Sequence, residues 1–451
     1  MNRAIVDYYR CPEDVVEFKL AERLTADPGF FRFGAETICY GNSSAGVRSK
    51  QVIGTLYDAL NDAKADRGTV HLPFDPDEIV ENLRYERYRT VGDGRPTRLG
   101  HSSAAVRSLY YGLRPFLPVQ IRKHLQRAYL SDWREIPFPR WPIDRTVEDL
   151  LERLLVLSMR ARGLQRVPFV WFWPDGMPSC ALMGHDVEHL DGQEFCAQLM
   201  EMDDAVGIKS SFQIVPEARY PVTDAFLETI RARGFEINVH DLNHDGRLFA
   251  DHGEFLRRAE RINAYGRKYG ALGFRSGALY RNQAWYGALE FSYDMSVPSV
   301  AHLDPQRGGC CSLMPFFIGK ILELPVTAIQ DYSLFHILND YSVDLWKQQT
   351  DSIAEKHGLI SFIIHPDYIR ERRARSTYQL LLEHLARMRD ERRTWIALPR
   401  EIDRWWRERS KLEVVPYGSS WRINGAGKER ARLAFAVLTG DRLTYSLEEP
   451  K

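Results

Sequence analysis

The sequence lacks long apolar runs and an excess of charge of either sign. No apolar run approaches the roughly 20 residues of a membrane-spanning helix. Lys and Arg together number 61, as do Asp and Glu, so the net charge is zero and gives no support to nucleic-acid binding. The first residues, from Met1, lack the apolar core of a signal peptide. These absences predict a protein without a transmembrane segment, located in the cytoplasm.

Cysteine is also scarce, with six residues in 451 and no Cys-x-x-Cys pair. The adjacent Cys310 and Cys311 have a poor spacing for a metal site or a disulfide. We therefore expect free thiols in a reducing compartment. Aromatic residues, in contrast, make up 12% of the chain, which fits carbohydrate handling, although most of them are expected to pack in the core.

The pattern along the chain predicts three parts. Residues 1–165 contain helix-like stretches and form an N-terminal, α-rich extension of unknown role. Residues 166–408 alternate short apolar runs with amphipathic segments, which is typical of a barrel of β–α units. Residues 409–451 alternate apolar and polar residues, and the turn signal Thr439-Gly440-Asp441 predicts a small β appendage. The helices expected in the extension are Gln51–Ala65, Pro76–Tyr88, Val119–Leu130 and Thr146–Arg162.

Titratable residues follow several of the predicted strands of residues 166–408, at the point where each strand ends. In such barrels the chemistry lies in the loops at the carboxyl ends of the strands, so these side chains are expected on one rim. Histidine and carboxylate ligands with a spare carboxylate to move protons are what a hydrolytic metal site needs. The residues are Asp186 and Glu188, His240 and His244, Arg275, His365 and Asp367.

Four short stretches that contain these residues resemble, in this order, the motifs of the polysaccharide deacetylase superfamily, the NodB-homology or family-four carbohydrate esterases. They are His185-Asp186-Val187-Glu188, His240-Asp241-Leu242-Asn243-His244, Phe274-Arg275-Ser276-Gly277 and Ile363-Ile364-His365-Pro366-Asp367. The resemblance covers about residues 165–405 and implies a distorted (β/α)7-type barrel of the α/β class.

The resemblance also implies a role for each residue. Asp186 would be the general base, oriented by Arg275, and His365 would be the general acid. Glu188, His240 and His244 would hold a metal, Zn²⁺ or another divalent ion such as Co²⁺ or Ni²⁺. The implied enzyme is a metal-dependent polysaccharide deacetylase that removes acetyl groups from N-acetylated sugars of a bacterial polysaccharide, such as an exopolysaccharide, or its precursor. Its partner would be that acetylated glycan.

The sequence departs from the family pattern at three points. Glu188 stands where the family has Asp, and Gly277 stands where it has Pro. The family's fourth motif has no clear match, which leaves Asp304 and Asp331 as its candidates. His185 and His189 are not assigned as ligands and are expected to lie around the site or to contact substrate.

Other functions stay open from the sequence. One is a degenerate barrel that binds glycan or acts as a scaffold without catalysis, and another is an amidohydrolase acting on a small C–N substrate. A third is a zinc protease, because His185-x-x-Glu188-His189 matches the H-x-x-E-H pattern. That pattern needs a helix to bring both histidines to one face, whereas here it follows a predicted strand.

Overall fold

A curled sheet of nine strands dominates the structure, a computed structural model that describes residues 1–44, 49–89 and 130–448. Eight of the strands run parallel: seven follow the order β14-β7-β8-β9-β10-β11-β13, and the short β15 pairs with the start of β7, while β12 is antiparallel at one edge. The strands of this sheet are β7 (Cys180–Val187), β8 (Ser211–Ile214), β9 (Glu236–His240), β10 (Gly273–Arg275), β11 (Tyr293–Asp294), β12 (Phe316–Ile318), β13 (Ile321–Glu323), β14 (Leu359–Ile364) and β15 (Trp395–Ile396). The expected α/β class and distorted seven-stranded barrel are confirmed.

Ten α-helices occur among the described residues, and those between β7 and β15 lie in the connections between strands of this sheet. Their ends follow local chemistry: in α6 the Asp251 side chain accepts from the Glu254 N–H, and Gly270 ends the helix with a φ of 59°. The helices are α1 (Arg3–Tyr9), α2 (Pro76–Arg84), α3 (Thr146–Ala161), α4 (Leu190–Ala205), α5 (Asp224–Ala232), α6 (His252–Tyr269), α7 (Asp344–Glu355), α8 (Pro366–Ile369), α9 (Arg372–Arg392) and α10 (Pro399–Arg409). None of them, within the described ranges, combines the length and apolarity that crossing a membrane would take.

The two faces of the sheet bury different cores, because successive side chains of a strand point to opposite faces. Along β7, Ala181 and Met183 pack outward against the helices, whereas Cys180 and Leu182 pack inward. The inward core also contains residues from both ends of the chain, including α3 and α10. The amino-terminal half of the barrel interior is therefore filled with apolar side chains, and polar side chains are left at the carboxyl ends of the strands.

An irregular segment, residues 326–331, bridges the gap between β13 and β14. The Ala328 N–H donates to the Ser361 carbonyl at 3.1 Å, and the Thr327 hydroxyl donates to the Leu359 carbonyl at 2.7 Å. The segment therefore runs along β14 and closes the barrel without forming a regular strand. This closure brings Asp331 to the same rim as the end of β14.

The N-terminal extension is not purely helical, so that part of the prediction is corrected. The expected helices at 76 and 146 are present as α2 and α3. The helix expected over Gln51–Ala65 is wrong, because Gly54 has a φ of 64° and the stretch ends in a 3₁₀ turn and a strand. The one expected over Val119–Leu130 lies outside the described residues except for its last position. The extension also contains β1 (Phe18–Leu20), β2 (Gly29–Arg32), β3 (Ile38–Gly41), β4 (Lys64–Asp66) and β5 (Thr69–Leu72).

The predicted C-terminal strands are present, and they also pair with a strand near residue 166. They are β16 (Glu413–Tyr417), β17 (Ser420–Asn424), β18 (Leu433–Thr439) and β19 (Arg442–Leu447). β18 lies between β19 and β6 (Arg166–Val170) in a three-stranded antiparallel sheet. β6 therefore belongs with the C-terminal strands and not with the barrel sheet, while the division into three domains stays a prediction. All six cysteines are buried free thiols.

Candidate metal centre

The two-residue period of β7 separates the polar residues at its end. Asp186 and Glu188 point into the barrel, whereas His185 points outward, where its Nε2 lies 2.9 Å from Asp203 Oδ2. Asp203 also accepts hydrogen bonds from Ser210 and Tyr378. His185 is thus part of a buried hydrogen-bond network between sheet and helices. Because His185 and Glu188 face opposite sides of the sheet, the H-x-x-E-H protease interpretation is wrong.

Glu188, His240 and His244 form a buried cluster whose ligand atoms all lie within 4.8 Å of one another. Glu188 Oε1 is 2.9 Å from His244 Nε2 and 3.7 Å from His240 Nε2. Both Nε2 atoms are buried and make no hydrogen bond, although the 2.9 Å approach is short enough for one. Two imidazole nitrogens and a carboxylate oxygen that converge in this way suit a divalent transition metal.

The backbone fixes which nitrogen of His240 faces the cluster. Its Nδ1 lies 3.1 Å from the Arg275 carbonyl, which only accepts, so Nδ1 carries the proton and Nε2 keeps its lone pair for a metal. His244 lies on the loop after β9 with a φ of 54°. Arg219 donates to the carbonyls of Asn243 and His244 and thereby holds this loop.

Asp186 forms a buried ion pair with Arg275 beside the cluster. Arg275 Nη1 donates to Asp186 Oδ1 at 2.6 Å, its Nε donates to the Met295 carbonyl at 3.0 Å, and the side chain is fully buried. Burial by itself would raise the pKa of Asp186, but Arg275 and then His240 outweigh it and hold the pKa below its ordinary value. Asp186 is therefore an ionised carboxylate, and its Oδ2 lies 3.6 Å from His240 Nε2.

Gly184 leaves the space that this ion pair needs. A Cβ at Gly184 would lie 3.0 Å from Arg275 Nη1 and 2.7 Å from Gln213 Nε2. The guanidinium therefore crosses β7 where the strand has no side chain on its inner face.

His365 lies on the other side of the cluster and is bound by Asp331. Its Nδ1 is 2.6 Å from Asp331 Oδ1, and its backbone N–H donates to Asp331 Oδ2 at 2.8 Å. Its Nε2 faces the centre, 3.3 Å from Glu188 Oε1. Burial by itself would lower the pKa of His365, but the carboxylates of Asp331 and Glu188 raise it well above its ordinary value.

Gly277 is where the third motif approaches the second. A Cβ at this position would lie 2.5 Å from Asp241 Oδ2 and 3.0 Å from the Cδ2 atom of His244. Any larger residue, including the proline of the family pattern, would press on the loop that carries His244. The departure at Gly277 thus has a steric reason.

The structure brings the six predicted site residues to one rim and adds Asp331, which the sequence had left open. Asp304, the other candidate, lies in a neighbouring cavity, and His189 lies at the exposed start of α4. Asp331 ends the irregular segment that follows β13. Its position after an apolar run is the only sequence signal that points to it. The six residues are Asp186, Glu188, His240, His244, Arg275 and His365.

No protein-family model and no curated protein matches the chain. Among solved structures, it is similar to a protein from Mycobacterium smegmatis named as a polysaccharide deacetylase, with 17% identity, a TM-score of 0.44, and coverage of 56% of this chain and 98% of that one. An allantoinase, Puue, and a probable polysaccharide deacetylase from Pseudomonas aeruginosa PAO1 each have 13% identity and a TM-score of 0.41, and cover 52% of this chain and 92% of theirs. These likenesses are distant.

Proposed function

We propose that this protein is a metal-dependent hydrolase that removes acetyl groups from N-acetylated sugars of a bacterial polysaccharide or its precursor. One observation supports this above the others. A buried three-residue ligand cluster lies between an ionised carboxylate held by an arginine and a histidine held by a second carboxylate. This is the arrangement that amide hydrolysis requires, since water must lose a proton and the departing nitrogen must gain one.

Glu188, His240 and His244 would hold the metal, with Zn²⁺ as the first candidate and Co²⁺ or Ni²⁺ as others. When bound, the ion supplies polarisation of the acetyl carbonyl and eases the deprotonation of water. The longer glutamate side chain reaches the two histidines, as its 2.9 Å approach to His244 Nε2 shows. The replacement of the family's aspartate is therefore compatible with a complete ligand set.

Asp186 acts as the general base in this proposal. The Arg275 guanidinium stabilises its ionised form and fixes its Oδ1, so the free Oδ2 is the atom that takes the proton of the attacking water. Arg275 itself is held by the Met295 carbonyl, which keeps the carboxylate in one orientation. A positioned base contributes about 10²–10⁴-fold to a rate, so Asp186→Asn is expected to lose nearly all turnover.

His365 acts as the general acid. Because Asp331 accepts from Nδ1, the proton available for transfer is on Nε2, the nitrogen that faces the centre. The raised pKa of His365 keeps this proton in place at neutral pH until the sugar nitrogen departs. Asp331 is then a positioning residue, because it touches His365 and not the reacting atoms.

Metal content and acetate release together test this proposal. Purified protein is expected to hold about one Zn²⁺ per chain and to release acetate from N-acetylhexosamine oligomers. His240→Ala should lose the metal, and His189→Ala is the matched control that should keep it, since His189 lies outside the cluster. The proposal would be refuted if the wild type released no acetate from a broad panel of acetylated sugars and the Asp186→Asn variant behaved in the same way.

The same experiment separates the two alternatives. A degenerate scaffold would hold no stoichiometric metal, so its metal content would not change in the His240→Ala variant. An amidohydrolase for small C–N substrates would hold the metal but would not hydrolyse the acetylated sugars. The assembled cluster, with its two buried unpartnered Nε2 atoms, favours the catalytic proposal over the scaffold.

A further inference from the structure

Two acidic residues lie side by side on the outer face of the barrel sheet. Asp294 on β11 is in register with Glu323 on the neighbouring parallel strand, β13. The residues before them, Tyr293 and Leu322, pack in the inward core, so both carboxyl groups point outward. Both acidic residues are fully buried. Two carboxyl groups that meet in a buried place cannot both be ionised unless a cation compensates their charge.

The groups around this acid pair do not supply such a cation. Arg281, from the loop after β10, approaches Glu323, but its guanidinium donates to Glu86 and to two carbonyl groups. Tyr286 and Cys310 also face the pair, and burial raises the pKa of both well above the ordinary value, so both are neutral. Within the described ranges, no lysine or arginine forms an ion pair with either acidic residue. The pair must therefore lower its own charge.

The hydrogen bonds indicate which member of the pair holds a proton. Asp294 accepts from the Ser296 N–H at 2.9 Å and from the Ser296 hydroxyl at 2.8 Å, which stabilises its ionised form. Glu323 Oε1 accepts from the Val297 N–H at 3.0 Å, whereas its Oε2 is buried and finds no partner in the part of the chain that the structure describes. A proton on Oε2 turns this atom into a donor to the neighbouring carboxylate.

The direction of the pKa shifts agrees with this assignment. Burial, and then the charge of Asp294, raise the pKa of Glu323 well above its ordinary value. Burial also raises the pKa of Asp294, but hydrogen bonds from Glu323 and Ser296 oppose that shift. Glu323 is thus the member that keeps its proton at neutral pH.

The acid pair holds the turn that positions Arg275. The Ser296 hydroxyl, which donates to the pair, accepts from the Ser276 N–H at 2.9 Å. The Met295 carbonyl, one residue earlier, accepts from Arg275 Nε at 3.0 Å. Two hydrogen bonds therefore connect this turn to Arg275 and to the residue after it. A shift of the turn would reach the guanidinium that orients the general base.

We propose that Asp294 and Glu323 share one proton and that the protonated pair positions Arg275, and through it the general base Asp186. Neither acidic residue touches the reacting atoms, so both are positioning residues. The positioning role rests on the proposed deacetylase function, whereas the shared proton is a property of the folded chain alone.

Infrared difference spectroscopy of the full-length protein tests the shared proton directly. At about pH 8 ordinary carboxyl groups are ionised, so the spectrum of the wild type minus that of Glu323→Gln should contain the C=O band of a protonated carboxyl group, and this band should shift in D₂O. Glu148→Gln is the matched control, because Glu148 is another buried glutamate bonded to a hydroxyl and a backbone N–H. Its pKa of about 7 leaves it mostly ionised, so its band should be much smaller. Absence of the Glu323 band would overturn the inference.

Kinetics on the zinc-loaded protein test the positioning role. In Glu323→Gln the amide N–H replaces the shared proton, so kcat should stay within about twofold of the wild type. Glu323→Leu leaves Asp294 without this donor and should lower kcat about 10- to 100-fold at unchanged KM and Zn²⁺ content. Ser296→Ala is a smaller change that breaks the link to Ser276, and it should lower kcat about tenfold. Glu148→Leu is the control for loss of a buried glutamate and should keep the kcat of the wild type.

The outcomes separate this inference from the proposed function. Equal kcat in Glu323→Gln and Glu323→Leu, or an unchanged kcat in Ser296→Ala, would overturn the positioning role. The Ser296 variant decides this point even if Glu323→Leu does not fold. A wild type that shows the infrared band but releases no acetate would refute the proposed function, and with it the positioning role, and would leave the shared proton standing.

Discussion

Replacing Gly277 by alanine is the sharpest test of how the metal centre is built. The backbone tolerates alanine, because Gly277 does not have a positive φ. The new Cβ would lie 2.5 Å from Asp241 Oδ2 and 3.0 Å from His244 Cδ2. Ordinary contact begins near 3.4 Å, so the carboxylate must move by about 0.9 Å and the imidazole by about 0.4 Å.

The imidazole shift is about twice the tolerance of a metal–nitrogen bond, which is about 0.2 Å. Asp241 cannot absorb the change alone, because it is buried and its Oδ1 is bound to the Leu242 N–H. We therefore expect Gly277→Ala to weaken Zn²⁺ binding by about 10- to 100-fold, the usual cost of disturbing the surroundings of a metal ligand.

Competition with a chromophoric chelator measures this affinity on the folded protein without any need for activity. Gly287→Ala is the matched control, since Gly287 also lacks a positive φ and a Cβ there meets nothing within 4 Å. Its Zn²⁺ affinity should equal that of the wild type. Affinities within about twofold for Gly277→Ala and the wild type would refute the reasoning that this close approach positions His244.

Three further changes test other parts of the structure. Burial raises the pKa of Glu148 from 4.5 to about 7, so the free energy of unfolding of the wild type should fall as pH rises from about 4.5 to about 7. Urea unfolding at pH 5 and pH 8 should show that Glu148→Gln removes up to about 3 kcal/mol of this fall. Equal pH dependence in both proteins would contradict the prediction. Asp331→Asn should lower acetate release about 10- to 100-fold at unchanged metal content, because His365 loses a charged hydrogen-bond partner; unchanged turnover would remove Asp331 from the mechanism. Arg281→Met should destabilise the fold by about 3–5 kcal/mol, because the buried Glu86 loses its close partner and keeps only Arg89, 3.9 Å away. The double variant with Glu86→Gln should recover much of this loss in the same unfolding assay, and no recovery would show that the arginine acts through packing.

The ion pair of Glu86 and Arg281 also shows how the extension and the barrel depend on each other. Both side chains are almost fully buried, and Glu86 additionally accepts from the Gly309 N–H. Tyr88 donates to the Gly309 carbonyl at 2.6 Å. The N-terminal extension is thereby fixed to the loops that follow β10 and β11.

The barrel was predictable because its strands have strong local signals. β14 is a run of apolar residues interrupted only by Ser361, and α6 begins after an aspartate N-cap and ends at a glycine. Apolar runs of this kind are buried on both faces of a parallel sheet. β11 has only two residues and gives no such signal, so it was not predicted. The helix expected at residue 51 failed because a glycine with positive φ overrides a weak amphipathic pattern.

The sequence by itself determined the class of fold, and its resemblance to a family named Glu188, His240 and His244 as candidate ligands. The alternation of side chains along β7 then places Asp186 and Glu188 inside the barrel and His185 outside. Only the tertiary structure decided which carboxylate binds His365, because Asp331 reaches it from 34 residues away through an irregular segment with no periodic pattern. The tertiary structure also decided that Gly277 approaches Asp241 and His244 of the loop after β9. These contacts join segments far apart in the chain, and the distances that define them arise only when the barrel closes.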